Sequence, residues 1–435
     1  MTAILYINDN NLRLQPSVPV AETDIIRSQG YVWFKTDKLV FDTEEANAPI
    51  KYCRLAPQEM NSRYWSQCER SSIANNAIGM RHAADLIWAH VSELQKQYPI
   101  KDLILVVPSH YQSSNLQLLL GIFESLKINV VGLVNGALLS LSDQLQTDGD
   151  YVHLDVQLHQ TVSSHIRVEK GVAKLTDVDV IQNVGIQAMQ DALLKMLQTQ
   201  FIQNDRFDPL HYAETEQQLF DKLTEIAEQV NESAKATVSV QHETRLHSTS
   251  LDAKVWNQTL DPFVGDLLSA LSKADHGFVQ LNGLFGRAAW TIGNASSVTL
   301  LNDFVIQDTS KFVGQNDSEG SLQYITQLTL DSVINAAPIT AQEETKKPLV
   351  AQADQILTGA THLLQSGIAV PIEHCDVLMD NHLLTINSCA AGNAQAMLEQ
   401  GKLFVMGDES CKEFRPNDRL GSHLAEGVIT VIQVV

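Results

Sequence analysis

Residues Leu103–Asp143 read LILVVPSHYQSSNLQLLLGIFESLKINVVGLVNGALLSLSD. The segment opens on Leu103–Val107, an unbroken apolar run that Pro108 stops. A strand covered on both faces needs no polar alternation, so the run predicts a buried strand. From Gln112 to Leu126, Leu116, Leu119, Leu120 and Phe123 recur at helical spacing. A second apolar run, Ile128–Leu133, follows, and the Asn135-Gly136 turn opens another helix. Strand, helix, strand, helix predicts an α/β layer with parallel pairing, because parallel neighbours need a long crossover.

Upstream, the opening AILYI is a short apolar strand that ends at the turn-forming cluster Asn8-Asp9-Asn10-Asn11. Gly30–Phe34 and Lys38–Phe41 flank Thr36-Asp37 as a hairpin. Arg81–Gln97 carries Ala84, Ile87, Trp88, Val91 and Leu94 as a helical stripe. Downstream comes Tyr151–Ile166, YVHLDVQLHQTVSSHI, in which Val152, Leu154, Val156 and Leu158 alternate with His153, Asp155, Gln157 and His159. A second alternating run, Val162–Val168, follows almost at once, which predicts a hairpin with one apolar and one polar face.

Helices are predicted over Ile186–Phe201, from Asp208-Pro209 through the stripe Leu219, Leu223, Ile226 and Val230, and over Ala253–Ala270. Ala236–Gln241 and Glu243–Ser248 are short strands around a turn, and Gly277–Arg287 is a strand running into a glycine-containing loop. Beyond residue 301 the texture changes. Gly314–Gly320 is loop-like, and the polar, charged Thr340–Pro348 is the expected domain boundary. After it, alternating segments broken by Gly, Asn and Asp predict a β-rich domain.

A chain of 435 residues is long enough for two or more domains. Hydrophobic content of 44% with 19% charged residues describes a globular chain rather than a disordered one. The first residues lack a basic start and a cleavage site, and no apolar run approaches the roughly 20 residues that cross a bilayer. A cytoplasmic protein without a membrane span is the expectation. Cys53, Cys68, Cys375, Cys389 and Cys411 are scattered and form no CxxC pair, so reduced thiols are expected rather than a zinc cluster or disulfide framework. The net charge of −21 disfavours nucleic acid and anionic membranes, whose phosphates need a basic footprint. It leaves a protein partner of unknown identity.

This order of elements resembles the actin and heat-shock chaperone (70-kDa class) ATPase superfamily over roughly residues 1–310. Leu103–Asp143 is similar to the chaperone segment in which a valine-proline strand end leads into a Ser/Gln-containing helix, a strand and an Asn-Glu helix start. Here Asn135 is kept and Gly136 stands where the glutamate is usual. The resemblance implies an α/β, two-lobed actin-like ATPase (ribonuclease H-like) fold that closes over Mg-ATP. It implies a first lobe at 1–150 and a second at 151–310, with a linker at 311–349 and a C-terminal β-rich domain at 350–435.

The family grips the phosphates with two hairpins whose glycines let backbone amides reach oxygen atoms. In the first hairpin, Ile7 matches the metal-holding aspartate and Asp9 the glycine; a register slip puts Asp9 in the metal role with no glycine after it. In the second, Asp155 matches the aspartate, while Gln157, Leu158 and His159 replace the glycines. The adenosine loop keeps Gly283 and Gly286 but surrounds them with Asn282, Leu284 and Phe285. A carboxylate at Asp9 would repel a triphosphate. The site residues carried over are therefore Asp9, Asp155, Gln157, Asn282 and Gly283, in degenerate nucleotide loops. The expected function is a chaperone-like pseudo-ATPase acting as a scaffold or partner-binding protein, with no catalytic residue, metal or cofactor. The alternative is a divergent chaperone-like ATPase that binds Mg-ATP and hydrolyses it slowly.

Other residues have a chemical and a plainer reading. His153, Asp155 and His159, with His165 across the hairpin, have the chemistry of a metal set, but a hydrogen-bonded network is the expected role. Ser109-His110 lacks a nucleophile elbow, so Ser109 is expected to cap the helix after Pro108. Arg54 and Arg63 lie where the chaperone family has its catalytic basic residue, and surface or ion-pair roles are expected of both. Trp33, Trp65 and Trp88 are read as packing residues, and Asp208 as an N-cap.

Overall fold

Two sheets built on one plan organise the N-terminal part of the chain. The structure, a computed structural model, describes residues 2–16, 25–36, 38–42, 48–70, 72–73, 79–294, 299–301 and 322–330, and the backbone of the strands between His362 and Ile432. The chain divides into two compact units, Met1–Ile339 and Thr340–Val435.

In the first unit, Thr2–Tyr6 (β1), Leu12–Pro16 (β2) and Ile26–Ser28 (β3) form an antiparallel meander. Val32–Lys35 (β4), Lys38–Phe41 (β5) and Met60–Asn61 (β6) make a small separate sheet, followed by the helices Tyr64–Gln67 (α1) and Ala83–Gln97 (α2). Asp102–Val107 (β7) then pairs parallel with β1, Ile4 opposite Ile104. Ser113–Ser125 (α3) crosses over to Asn129–Asn135 (β8), parallel to β7, and Gly136–Ser140 (α4) follows.

The plan then repeats. Gly149–Val156 (β9), Gln160–Glu169 (β10) and Val172–Gln182 (β11) are a second antiparallel meander. Ile186–Asp205 (α5), Ala213–Ser233 (α6), the hairpin of Lys235–His242 (β12) and Arg245–Asp252 (β13), and Ala253–Leu271 (α7) come next. His276–Leu281 (β14) returns parallel to β9, Leu154 opposite Val279. Leu284–Asn294 (α8) leads to Thr299–Leu301 (β15), parallel to β14. The strand orders β3-β2-β1-β7-β8 and β11-β10-β9-β14-β15 are therefore the same, with the same senses of pairing. Tyr324–Ile325 (β16) extends the first sheet beside β8, and Gln327–Thr329 (β17) extends the second beside β11. These strands lie inside 311–349, so that stretch is not only a linker.

Each sheet has its own core, as a two-layer packing of helices on strands requires. Leu86, Ile87, Val91 and Leu94 of α2 pack with Leu103 and Leu105 of β7 and with Phe123 of α3. Leu193, Leu197 and Phe201 of α5 pack with Val152, Leu154 and Val156 of β9, and Trp256 of α7 is buried beside them. Trp65 joins the first core; Trp33 donates from Nε1 to Glu59 (2.8 Å). Trp88 departs from expectation: 42% exposed, it donates to Ser125 Oγ, because the stripe of α2 is wider than the core it faces.

Two helix starts also move. The N-cap of α3 is Gln112, not Ser109. The N-cap of α6 is Tyr212, because Asp208 accepts from the Leu210 amide and from Gln198 in a turn that precedes the helix. Cys53 and Cys68 are buried free thiols; Cys375, Cys389 and the Cys411 side chain lie outside the described residues.

The second unit is described as antiparallel strands. His362–Gln365 pairs with Ile368–Pro371 and Ile429–Ile432, and the latter also with Arg419–Leu420. Asp376–Asp380 pairs with Leu383–Asn387, and Ala396–Glu399, Lys402–Gly407 and Ser410–Phe414 form a three-stranded sheet. Among the described residues, no helix is long and apolar enough to cross a membrane.

Candidate functional site: a closed seam between the two sheets

β1, β9 and β14 are central strands, so the turns that leave them converge at one place. In α/β layers this carboxyl end of the strands is where ligands are held. Here the turns hold each other. Asn8 Nδ2 donates to Asp155 Oδ1 (2.9 Å), and Leu158 N donates to Asp9 Oδ1 (2.7 Å). Asn10 Nδ2 donates to the Asn282 carbonyl oxygen (2.6 Å), and Asn282 Nδ2 to Asp155 Oδ1 (3.3 Å). Gln157 Nε2 completes the set on Asp155 Oδ2 (3.0 Å). Asn8, Asp9, Asn10, Asp155, Gln157 and Asn282 are all buried.

The structure thus brings together Asp9, Asp155, Gln157 and Asn282, with Gly283 at their edge. Gly283 has φ +82° and would place a Cβ 3.2 Å from Asn10 Nδ2. Two glycines that the sequence did not single out support the turns from behind. Gly30 N donates to the Asp9 carbonyl (2.7 Å), and a Cβ there would lie 2.6 Å from that oxygen. Gly185 lets the start of α5 touch the second turn: Ile186 N and Gln187 N donate to the carbonyls of Gln157 and Leu158 (3.0 and 2.9 Å). A Cβ at Gly185 would lie 2.6 Å from Gln160 N.

Burial sets the electrostatics. It pushes the Asp9 carboxyl up to about 7, with the Leu158 amide opposing, the Asp155 charge adding and Arg63 opposing. Burial raises Asp155 to about 6, against the pull of Gln157, Asn8, Arg13 and Asn282. Arg13 is itself buried, its guanidinium 4.5 Å from the centre of the Tyr6 ring. Asp9 Oδ2 is buried without a hydrogen-bond partner, which suits a protonated carboxyl better than a charged one.

The histidines do not converge. His153 is buried and held neutral, lowered to about 3 with Gln280 opposing. His159 reaches the Ser62 carbonyl (2.9 Å), and His165 faces Asp179 (3.8 Å). Among the described residues, no three His, Cys, Asp or Glu side chains are grouped to hold a metal ion.

Further contacts lie on either side. Ser164 Oγ donates to Ser109 Oγ (2.7 Å) across the seam, while Asn135, which caps α4 through Oδ1, donates within the first sheet to the Tyr324 hydroxyl (2.9 Å). Gln160 bridges His110 and Gln157, both at 3.2 Å. On the outer side, Arg54 pairs with Asp191 (2.6 Å) and Glu216 (3.5 Å), its guanidinium 4.8 Å from the centre of the Phe220 ring. The Arg54 amide donates to Gln217 Oε1, and Gln217 Nε2 donates to the Ile50 carbonyl. Residues 50–54 are thereby fastened to α6.

No known family model matches the chain, and no curated protein matches it.

Proposed function

We propose that residues 1–339 are an actin-like, heat-shock-chaperone-type body whose nucleotide cleft is shut by its own side chains. It acts as a pseudo-ATPase scaffold that presents a fixed conformation to a partner protein. The repeated strand order of the two sheets supports the two-lobed reading. The observation that carries the function is the Leu158 amide on Asp9 Oδ1. A backbone amide of the kind that this superfamily turns toward phosphate is occupied here by a carboxyl oxygen of the opposite half. Buried Arg13 supplies a positive charge that favours ionised Asp155.

An exchangeable ligand lets two lobes open and close; a side chain cannot leave. A phosphate entering the seam would displace three direct contacts between the halves and meet two buried carboxyls. Such a body fits a scaffold better than a cycling motor.

Thermal unfolding of the full chain with Mg-ATP and Mg-ADP tests this. No change in midpoint and no phosphate release are expected. Ligand at 100 times its dissociation constant would add about 2.7 kcal/mol; a rise of that order overturns the proposal in favour of an active, slow ATPase.

A further inference from the structure

The hairpin of β12 and β13 is a sheet of two strands, separate from both large sheets, so each of its strands has one outer edge. The two edges are finished differently. Along β12, side chains of α6 take the main-chain groups that point away from β13. Gln218 Oε1 accepts from the Gln241 amide (2.8 Å) while Gln218 Nε2 donates to the Gln241 carbonyl (2.9 Å), as a neighbouring strand would. Lys222 Nζ donates to the Ser239 carbonyl (2.7 Å), and Ser233 Oγ to the Lys235 carbonyl (2.5 Å).

These bonds also fix the sense of β13. Lys235, Ser239 and Gln241 face away from the partner strand, so Asp252, Ser248 and Leu246 opposite them are in the pairs that are not hydrogen-bonded. Alternation along the strand adds Ser250. The main-chain N–H and C=O groups of Leu246, Ser248 and Ser250 therefore point outward. Among the described residues, no strand or side chain is hydrogen-bonded to them. Folded proteins blunt an open edge with charge, proline or a bulge. Between Arg245 and Asp252 this strand has no lysine, acidic residue or proline, and its register to β12 runs without a shift. Leu246 is 62% exposed.

The charge pattern chooses the occupant. With a net charge of −21, like charge opposes a second copy over most of the surface. β13 is instead neutral along its middle, basic at its start (Arg245) and acidic at its end (Asp252). Two such edges laid antiparallel bring unlike ends together, whereas a parallel pair would bring like ends together. A strand paired with its own copy about a two-fold axis is antiparallel, and that symmetry is the commonest among dimers. Keeping buried and exposed side chains on their faces requires even-numbered residues opposite even-numbered ones. The register centred on Ser248 does so, sets Leu246 opposite Ser250 of the second copy, and uses every outward group of the neutral stretch.

We propose that two copies of this chain dimerise through the open edge of β13, joining their hairpins into one four-stranded antiparallel sheet with Ser248 on the two-fold axis. The contact makes no use of the seam, and its failure would leave the closed-seam reading untouched.

Sedimentation velocity of the full chain, from low to high micromolar concentration, tests this. A species of twice the monomer mass should grow with concentration. Ser248→Lys and Ser248→Glu each set like charges opposite one another across the axis, and each should weaken self-association about tenfold. Mixed in equal amounts, the two variants should form a heterodimer at least as tight as the parent dimer. Ser248→Pro removes an outward N–H that β12 does not use, so the far-UV circular dichroism should be unchanged and the dimer lost. Should the proline variant misfold, the two charge variants decide alone. A chain that stays monomeric at high micromolar concentration overturns the inference. So does a dimer that survives both charge variants, or a pair of weakened variants that mixing does not restore.

Discussion

The two sheets share a plan, yet the turns after their first strands are chemically opposite. The β1–β2 turn, Ile7–Asn11, is a run of short polar side chains folded on itself: Asn10 N donates to Asn8 Oδ1 (2.9 Å) and Asn11 N to the Asn8 carbonyl (3.0 Å). Its outward groups are a carboxyl and two amide NH2 donors. The β9–β10 turn offers a bare backbone amide at Leu158 and the Asp155 carboxyl behind it, and its own carbonyls are consumed by the start of α5. One turn thus presents what the other lacks. Two halves with the same fold close on each other because their equivalent loops have diverged into complements rather than copies.

The comparison breaks first at the supporting glycines. Gly185 and Gly30 do the same work on opposite sides, and at both a Cβ would come within 2.6 Å of backbone atoms. Backbone cannot step aside as a flexible side chain can. Gly185→Ala and Gly30→Ala should each destabilise the first unit by about 4 kcal/mol, an unusually large effect for adding one methyl group. Chemical denaturation of each variant measures it. A loss below about 1 kcal/mol at either position would mean that the turn it supports is not held in this close register.

Protonation sharpens the comparison next. Asp9 has a folded value near 7, above the usual carboxylate range, so the folded state binds a proton that the unfolded state has released. Stability from this group is complete below about pH 4 and is lost as pH rises through about 7. Histidines 90, 110, 153 and 159 act the other way: burial lowers each, so their contribution is complete above about pH 6.5 and falls as acid forces protons onto them. The raw profile mixes both. Asp9→Asn isolates the carboxyl, because its amide oxygen still accepts from Leu158 while nothing ionises. The difference in stability between Asp9→Asn and the parent chain should be small at pH 4 and rise to about 4 kcal/mol in favour of the variant by pH 8. A difference that does not change with pH would remove the protonated carboxyl from the seam.

Some of this was legible in the sequence and some was not, for physical reasons. LILVV, its helix and the following apolar run place β7, α3 and β8 almost to the residue, since unbroken apolar strands and a 3.6-residue stripe leave little freedom. Asp208-Pro209 misleads because Asp208 does bind a nearby amide, but in a turn ahead of α6. At the seam, Asp9, Asp155, Gln157, Asn282 and Gly283 were named only through the resemblance to the family's nucleotide loops, and the structure brings them together. What they do there was not readable. Asp9 was expected only to repel a phosphate, whereas it accepts from an amide 149 positions away. Asn8 and Asn10 look like turn formers, and nothing local tells that their side chains also reach across. Gly30 and Gly185 matter through backbone approach, which has no signature in composition or spacing.

The smallest expected effect tests whether the outer contact is a second clasp or only surface ion pairing. Arg54 differs from the seam residues in being partly solvated, and its partner Asp191 is more exposed still. Ion pairs in that setting are screened and worth little alone. Its planar head, though, also lies over Phe220 and pairs with a second carboxylate, Glu216. Lysine keeps the charge but loses the fork and the flat face. Arg54→Lys should therefore cost about 1 kcal/mol, little of it recovered at low salt. A stability loss that vanishes in high salt would reduce Arg54 to an ordinary surface ion pair and leave the outer fastening to the bonds of Gln217 with the Arg54 amide and the Ile50 carbonyl.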